Sequence, residues 1–280
     1  MAEITVALIS KLRDRTGAGM MDCKKALVEA DGDLDGAIES LRKKGAATAD
    51  KKSGRATSEG VIARALAADG SKGTLVEINC ETDFVGKNEK FQGFCSEIAE
   101  ALNENPDADL EERRTQAVTE SGENIRITRH ESLGVDGNGA VAAYIHHGNK
   151  VGVLVAAETG QEASAGNDAF KALLNDLTLQ ITATSPLAIT RDELDEALIQ
   201  KERDIAAEQF KDKPPQAIES IVNGKMEKYF AEVCLLDQQF VKNDEVSVKD
   251  HIAAVGKDLG DDGIAVKAFL RFQVGETQED

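Results

Sequence analysis

Residues 60–91, GVIARALAADGSKGTLVEINCETDFVGKNEKF, decide the architecture. Residues 61–66 and 74–79 are β-branched runs with a period of two, separated by Asp69-Gly70-Ser71-Lys72-Gly73, and they read as a hairpin. A helix follows over about residues 88–102, with Phe91, Phe94, Cys95, Ile98 and Leu102 on one side. The pattern then returns at a constant offset of 79 residues. Gly60-Val61-Ile62-Ala63 becomes Gly139-Ala140-Val141-Ala142, Gly73-Thr74-Leu75-Val76 becomes Gly152-Val153-Leu154-Val155, and Asn88-Glu89-Lys90-Phe91 becomes Asn167-Asp168-Ala169-Phe170. One offset running through a hairpin and into a helix points to two copies of a hairpin-plus-helix unit. Each copy is expected to be closed by a later strand, at residues 125–129 and 268–274. The fold class is therefore α+β, with helices packed on small antiparallel sheets.

Upstream, residues 4–45 predict three short helices. The first runs over 4–16 with Ile4, Leu8, Ile9 and Leu12 on one face and is broken by Gly17-Ala18-Gly19. The second runs over 21–30 with Asp22 as N-cap, and the third over 34–44 with Gly45 as its stop. GAATADKKSGRATSEG, residues 45–60, is either a flexible tether or a weakly formed helix. Asn105-Pro106-Asp107 makes a turn, and a further helix is expected over 110–120. The second copy carries an insertion. Two amphipathic helices, over 191–210 and 217–235, flank Lys213-Pro214-Pro215 and read as an antiparallel coiled-coil arm. The expected partition is 1–55 for the three helices and linker and 56–138 for the first core unit. Residues 139–188 plus 241–280 form the second core unit, and 189–240 the inserted arm.

The totals limit what the chain can do. Its 280 residues are 41 % hydrophobic and 30 % charged, with aromatics at 4 % and no Trp. The net charge of −18 disfavours direct binding to nucleic acid, which needs Lys and Arg against phosphates. The charge is uneven: residues 1–55 hold 11 Lys/Arg against 9 Asp/Glu, leaving −20 on the remainder. Cys23, Cys80, Cys95 and Cys234 form no C-x-x-C pair, as expected of reduced thiols in a cytoplasmic protein. MAEITVALISKLRDRTG has no apolar h-region and is not expected to be a signal peptide. No run approaches a membrane span, so no membrane partner is expected.

Chemical motifs are few. Gly86-Lys87 resembles the end of a phosphate-cradling loop, but Glu81 stands where its first Gly belongs and Asn88 replaces the Ser/Thr. The histidines lack ligand spacing, so neither a metal site nor a cofactor is expected. His146 and His147 are adjacent in a strand and are expected to face opposite ways, one packed and one solvated. No catalytic residue is assigned. A hydrolase using Glu81 and Asp83 would lack a substrate pocket, and a plain peptide-binding module would not need the neighbouring aromatic.

What stands out is the junction CETDFVGKNEKF, residues 80–91. A turn there favours small polar residues, yet Asp83 is followed by Phe84. At offset 79 the pair becomes Glu162-Ala163, so the aromatic is not required by the repeat. The reading is a wedge, an apolar ring beside a carboxylate, aimed into a partner.

LRDRTGAGMMDCKKAL, residues 12–27, and VEINCETDFVGKNEKF, residues 76–91, resemble the two signatures of bacterial translation elongation factor Ts, and the resemblance runs over residues 1 to about 276. It implies an N-terminal three-helix ubiquitin-associated-like domain, a two-subdomain core and an inserted coiled-coil dimerisation motif. It also implies a guanine nucleotide exchange factor for elongation factor Tu, one that binds the GDP form, displaces Mg²⁺ and promotes GDP release without covalent chemistry. Carried over, Thr82, Asp83, Phe84 and Val85 would dislocate the partner's Mg²⁺. Arg13, Thr16, Gly17, Ala18, Gly19 and Met20 would dock on its nucleotide domain, with His147 near the same surface. The arm leaves open a homodimer or a 2:2 complex. Many members of that family continue into a C-terminal helical module after the last strand, whereas only GETQED follows Val274 here. The expected contacts are therefore those of the N-terminal domain and core.

Overall fold

The structure, a computed structural model, describes residues 3–277. The last three residues of the C-terminal GETQED stretch lie outside them. In chain order, α1 (Val6–Thr16), α2 (Met20–Glu29) and α3 (Leu34–Lys52) precede β1 (Glu59–Leu66) and β2 (Lys72–Cys80). A single turn, α4 (Asp83–Gly86), leads into α5 (Glu89–Glu104), α6 (Glu111–Ser121) and β3 (Arg126–Gly134). The second copy follows as β4 (Gly139–Ile145), β5 (Val151–Glu158), α7 (Glu162–Ala165) and α8 (Asp168–Thr184). The insertion is α9 (Glu196–Glu208) and α10 (Pro215–Val233). The chain returns through the small hairpin β6 (Gln239–Phe240) and β7 (Asn243–Ser247) to α11 (Val248–Leu259) and β8 (Ala265–Gln273).

The 79-residue offset holds in three dimensions. One antiparallel sheet has the order β1-β2-β3 and the other β4-β5-β8, each with its second hairpin strand in the centre. Ladder irregularities fall between Glu77 and Ile78 in one sheet and between Ala156 and Ala157 in the other, again 79 residues apart. Asn88 caps α5 through Lys90 N–H at 2.9 Å, and Asn167 caps α8 through Ala169 N–H at 2.8 Å. Each cap satisfies an orphan donor of the first turn, typically worth about 1 kcal/mol. Close strand approach excludes a side chain at the equivalent glycines. A Cβ on Gly60 would lie 2.6 Å from the Ile78 carbonyl oxygen, and one on Gly139 2.4 Å from that of Ala157.

The two sheets pack face to face through Ile62, Leu75, Val141, Leu154, Ala156 and Phe272. Their outer faces are covered by α5 and α6 on one side and by α8 and α11 on the other. Enclosure on both faces explains why β2 is buried almost throughout, Glu77 and Asn79 included. A buried carboxylate needs partners. Glu77 has Arg129 at 2.8 Å, the Asn79 amide at 3.1 Å and Gly275 N–H at 2.8 Å.

Several expected boundaries move. Gly45 does not stop the third helix, and residues 45–52 are no tether, because α3 runs unbroken to Lys52. The glycine is there for packing: a Cβ on it would lie 2.9 Å from Thr119 Oγ1 of α6. Gly19, not Asp22, occupies the N-cap of α2, while Asp22 sits in the first turn and pairs with Lys44. The first helix of the insertion begins at Glu196 rather than 191, since Asp195 is extended and caps Ala197 N–H at 2.8 Å. Arg191 instead ties the base of the α9–α10 pair, contacting Glu227 at 2.9 Å and Asp237 at 2.8 Å. The closing strands are longer than expected, with β3 reaching Gly134 and β8 starting at Ala265.

His146 and His147 do not split between two faces. β4 ends at Ile145, His146 N–H closes the turn on Val151 O at 2.9 Å, and both histidines are exposed.

Candidate functional site

The junction after β2 is a braced turn with an apolar tip. Thr82 is the N-cap of α4, and its Oγ1 accepts from Val85 N–H at 3.4 Å. The same hydroxyl donates to Glu123 Oε1 at 2.6 Å. Glu123 Oε2 accepts from Glu81 N–H and Thr82 N–H, both at 3.0 Å. Glu81 Oε1 in return accepts from Asn124 N–H at 2.6 Å and from Arg55 at 3.3 Å. Underneath, Val85 packs on the first core and Gly86 is buried. The Gln92 amide donates to the Gly86 carbonyl at 3.2 Å.

Everything around Phe84 is held, and Phe84 is not. Its side chain is 81 % exposed, the most exposed of the large apolar residues described. Beside it Asp83 pairs with Lys87 at 2.6 Å, one helical turn on. The Lys87 hydrogen bond and charge hold the Asp83 carboxyl below the usual carboxylate range, and Asp83 raises Lys87 in return. Asp83 is therefore ionised at neutral pH. The turn thus presents an unburied ring and a fixed negative charge side by side. Glu81 and Asp83 do not share a reaction site, because the first is tied to Asn124 and Arg55 and the second to Lys87.

The N-terminal residues form a second exposed apolar feature. Gly17 ends α1 in the left-handed region at φ 66°, with its N–H on Arg13 O at 2.7 Å. Thr16 donates to Leu12 O at 2.8 Å and is half-buried, and Ala18 is buried, so these two shape the loop from inside. Arg13, Gly19 and Met20 are exposed, and Met20 and Met21 at the head of α2 are bare at 54 % and 64 %.

Glu120 links this loop to the turn. Its carboxylate lies where a Cβ on Gly17 would have to go, 2.0 Å from Oε1, while its Oε2 pairs with Lys90 at the start of α5 at 2.8 Å. The His147 turn is anchored at the same end of the sheets. Lys150 reaches Glu59 at 2.5 Å and the Gly60 carbonyl at 3.0 Å, and that carbonyl is 3.6 Å from where a Gly86 Cβ would lie. Glu123, Glu120, Arg55 and Lys150 carried no signal in the sequence. Their partners at the site lie tens of residues away, so no periodicity or motif exposes them. A cavity of about 380 Å³ between α1, α3 and α6 is lined by Arg15, Leu41, Arg42, Glu112 and Thr119 among others, and does not include Asp83 or Phe84. Among the described residues no cluster could hold a metal ion, and no helix is long and apolar enough to cross a membrane.

Fold and turn together define an α+β protein with small antiparallel sheets and an exposed aromatic on a braced turn. The family model described as Elongation factor TS matches residues 81–276, beginning at the braced turn. The chain is 42 % identical to "Elongation factor Ts" of Trichlorobacter lovleyi over 99 % of this chain and 94 % of that protein. It is 42 % identical to the protein of that name from Sphingopyxis alaskensis, with the same shares covered. For that of Halothermothrix orenii the identity is 40 % over 98 % and 93 %. The chain belongs to the elongation factor Ts family, and with it to the translation elongation factors.

Proposed function

We propose that this chain is a guanine nucleotide exchange factor for elongation factor Tu. It binds the GDP form of that GTPase, displaces Mg²⁺ and promotes GDP release so that GTP can bind. The observation that carries the reading is Phe84, an exposed ring at the tip of a braced turn, beside an ionised carboxylate. In this mechanism the ring wedges between elements of the partner's nucleotide domain. Asp83 disturbs the polar groups around the partner's Mg²⁺, and Thr82 and Val85 set the shape of the turn. Arg13, Thr16 and the Gly17–Met20 loop dock on the same domain, with His147 at the flank.

No covalent chemistry is required of the chain. A factor that prefers the nucleotide-free partner weakens nucleotide binding, and nucleotide weakens the factor's binding by the same factor. A coupling of about 4 kcal/mol is already roughly a thousandfold. On this reading the three N-terminal helices and the two sheet units form the docking body, in the cytoplasm and without direct nucleic-acid contact. The α9–α10 pair is left to self-association, as a homodimer or within a 2:2 complex. The test is release of a fluorescent GDP analogue from elongation factor Tu with the chain at catalytic amounts. Acceleration supports the reading, and unchanged release defeats it.

A further inference from the structure

α4 is four residues long, and a single turn cannot hold itself, since it fixes several residues for little hydrogen bonding. Its direction must be imposed from outside. Glu123, half-buried between α6 and β3, does this with one carboxylate: both oxygens are used, on Glu81 N–H, Thr82 N–H and the Thr82 hydroxyl. Hydrogen bonds to an ionised acceptor are the stronger kind. The contacts reach 41 and 42 residues along the chain, so they tie the turn to the loop between α6 and β3.

The second copy contains the same device without the wedge. Gly160 and Gln161 stand 79 residues after Glu81 and Thr82. Their N–H groups donate to Asp261 Oδ1 at 3.0 Å and Oδ2 at 3.1 Å. Asp261 comes just ahead of β8, as Glu123 comes just ahead of β3. Yet the turn that Asp261 holds carries Glu162-Ala163 at its tip. Nature has thus supplied a matched pair, one clamp under an aromatic and one under none.

We infer that Glu123 is a positioning residue for nucleotide exchange: its carboxylate fixes the direction of the Asp83–Phe84 tip, so that ring and charge meet the partner already oriented. The inference rests on the exchange function proposed above. Its physical basis is preorganisation, because a tip that must first be ordered spends part of its contact energy on that ordering.

The chain has no Trp, so Phe84→Trp places a unique indole at the tip, excited selectively beyond the absorption of the two tyrosines. Exchange, the urea midpoint and, in the Phe84→Trp background, indole anisotropy are measured for Glu123→Ala, Glu123→Gln and Asp261→Ala. Glu123→Ala is expected to slow GDP release at limiting factor at least about tenfold, the equivalent of roughly 1.4 kcal/mol, and to lower the anisotropy. Glu123→Gln keeps one acceptor oxygen and should fall between it and the parent. Asp261→Ala should lower the urea midpoint while leaving release within about twofold. If Glu123→Ala does not fold, Glu123→Gln carries the comparison. The inference is overturned if Glu123 variants leave release and anisotropy unchanged, or if Asp261→Ala slows release as much as Glu123→Ala does. A parent chain that accelerates GDP release normally, with Phe84→Ala inert and Glu123→Ala fully active, sinks the clamp alone. A parent chain with no exchange activity sinks both.

Discussion

Truncating Phe84 to Ala should separate stability from function more cleanly than any other single change. A Phe side chain exposes about 200 Å² when bare. With 81 % of it already in solvent, roughly 160 Å² is free and only about 40 Å² is buried in the unbound chain. At about 25 cal/mol per Å², truncation removes about 1 kcal/mol from folding at most. The same coefficient gives about 4 kcal/mol if the free area is wholly buried in the partner, an upper bound of nearly three decades in the transition-state or complex stability. Stopped-flow release of a fluorescent GDP analogue, at factor concentrations below saturation, reads the second quantity. Urea unfolding reads the first. The expected result is a nearly unchanged urea midpoint with release slowed by two to three decades, about the range of a single aromatic anchor. A variant with a lowered midpoint and undiminished exchange would show that Phe84 is a packing residue, and the wedge would have to be abandoned.

Three further outcomes follow from the same structure. The Lys87 pair keeps the Asp83 carboxyl below its ordinary value, so the pair contributes at and above that value and is lost as pH falls through the depressed one. Lys87→Met should move the Asp83 carboxyl titration, followed by carbon NMR, up toward the ordinary carboxylate range, and an unmoved midpoint would remove the pair from the account. Burial pushes the Cys80 and Cys234 thiols up to about 11 and raises Cys23 and Cys95 as well. All four should resist a chromogenic disulfide at neutral pH and react together in denaturant; a fast native phase would contradict their burial. Gly139→Ala sets a Cβ against the Ala157 carbonyl, where backbone must move, and overpacking of this kind costs about 1–3 kcal/mol. Its urea midpoint should drop by that amount, and a neutral result would mean the strands at this edge are looser than their register.

The features legible in the sequence were those written in local chemistry. Alternation and turn residues disclose both hairpins, and comparison at one offset discloses the repeat, down to the matched Asn88 and Asn167 at the helix starts. Phe84 could be singled out because the second copy lacks it. Readings failed where tertiary contact overrides a local signal. Gly45 looks like a helix stop, but the helix continues because α6 needs its bare surface. Arg191 looks like the first residue of an arm helix, but it is drawn into a clamp with Glu227 and Asp237, and the helix starts after it. His146 and His147 look like alternating strand residues, but the ladder has already closed on Val151.

Glu123 and Asp261 show why the site itself was only half legible. A carboxylate that accepts backbone N–H groups across a long loop imposes no pattern on the residues it holds, since every residue but Pro offers an N–H. Glu81-Thr82 and Gly160-Gln161 are chemically unlike, yet in each pair both backbone N–H groups donate to one carboxylate. Apart from the Thr82 hydroxyl, the brace grips backbone and takes nothing from residues 83 and 84 or 162 and 163, which frees the tip to vary. In one copy the tip has become Asp-Phe, and in the other Glu-Ala. An aromatic this exposed adds little to its own fold, so folding alone gives a weak reason for it. That asymmetry of tips on a symmetric scaffold is the strongest physical reason to look for function at Phe84 rather than at its counterpart, Ala163.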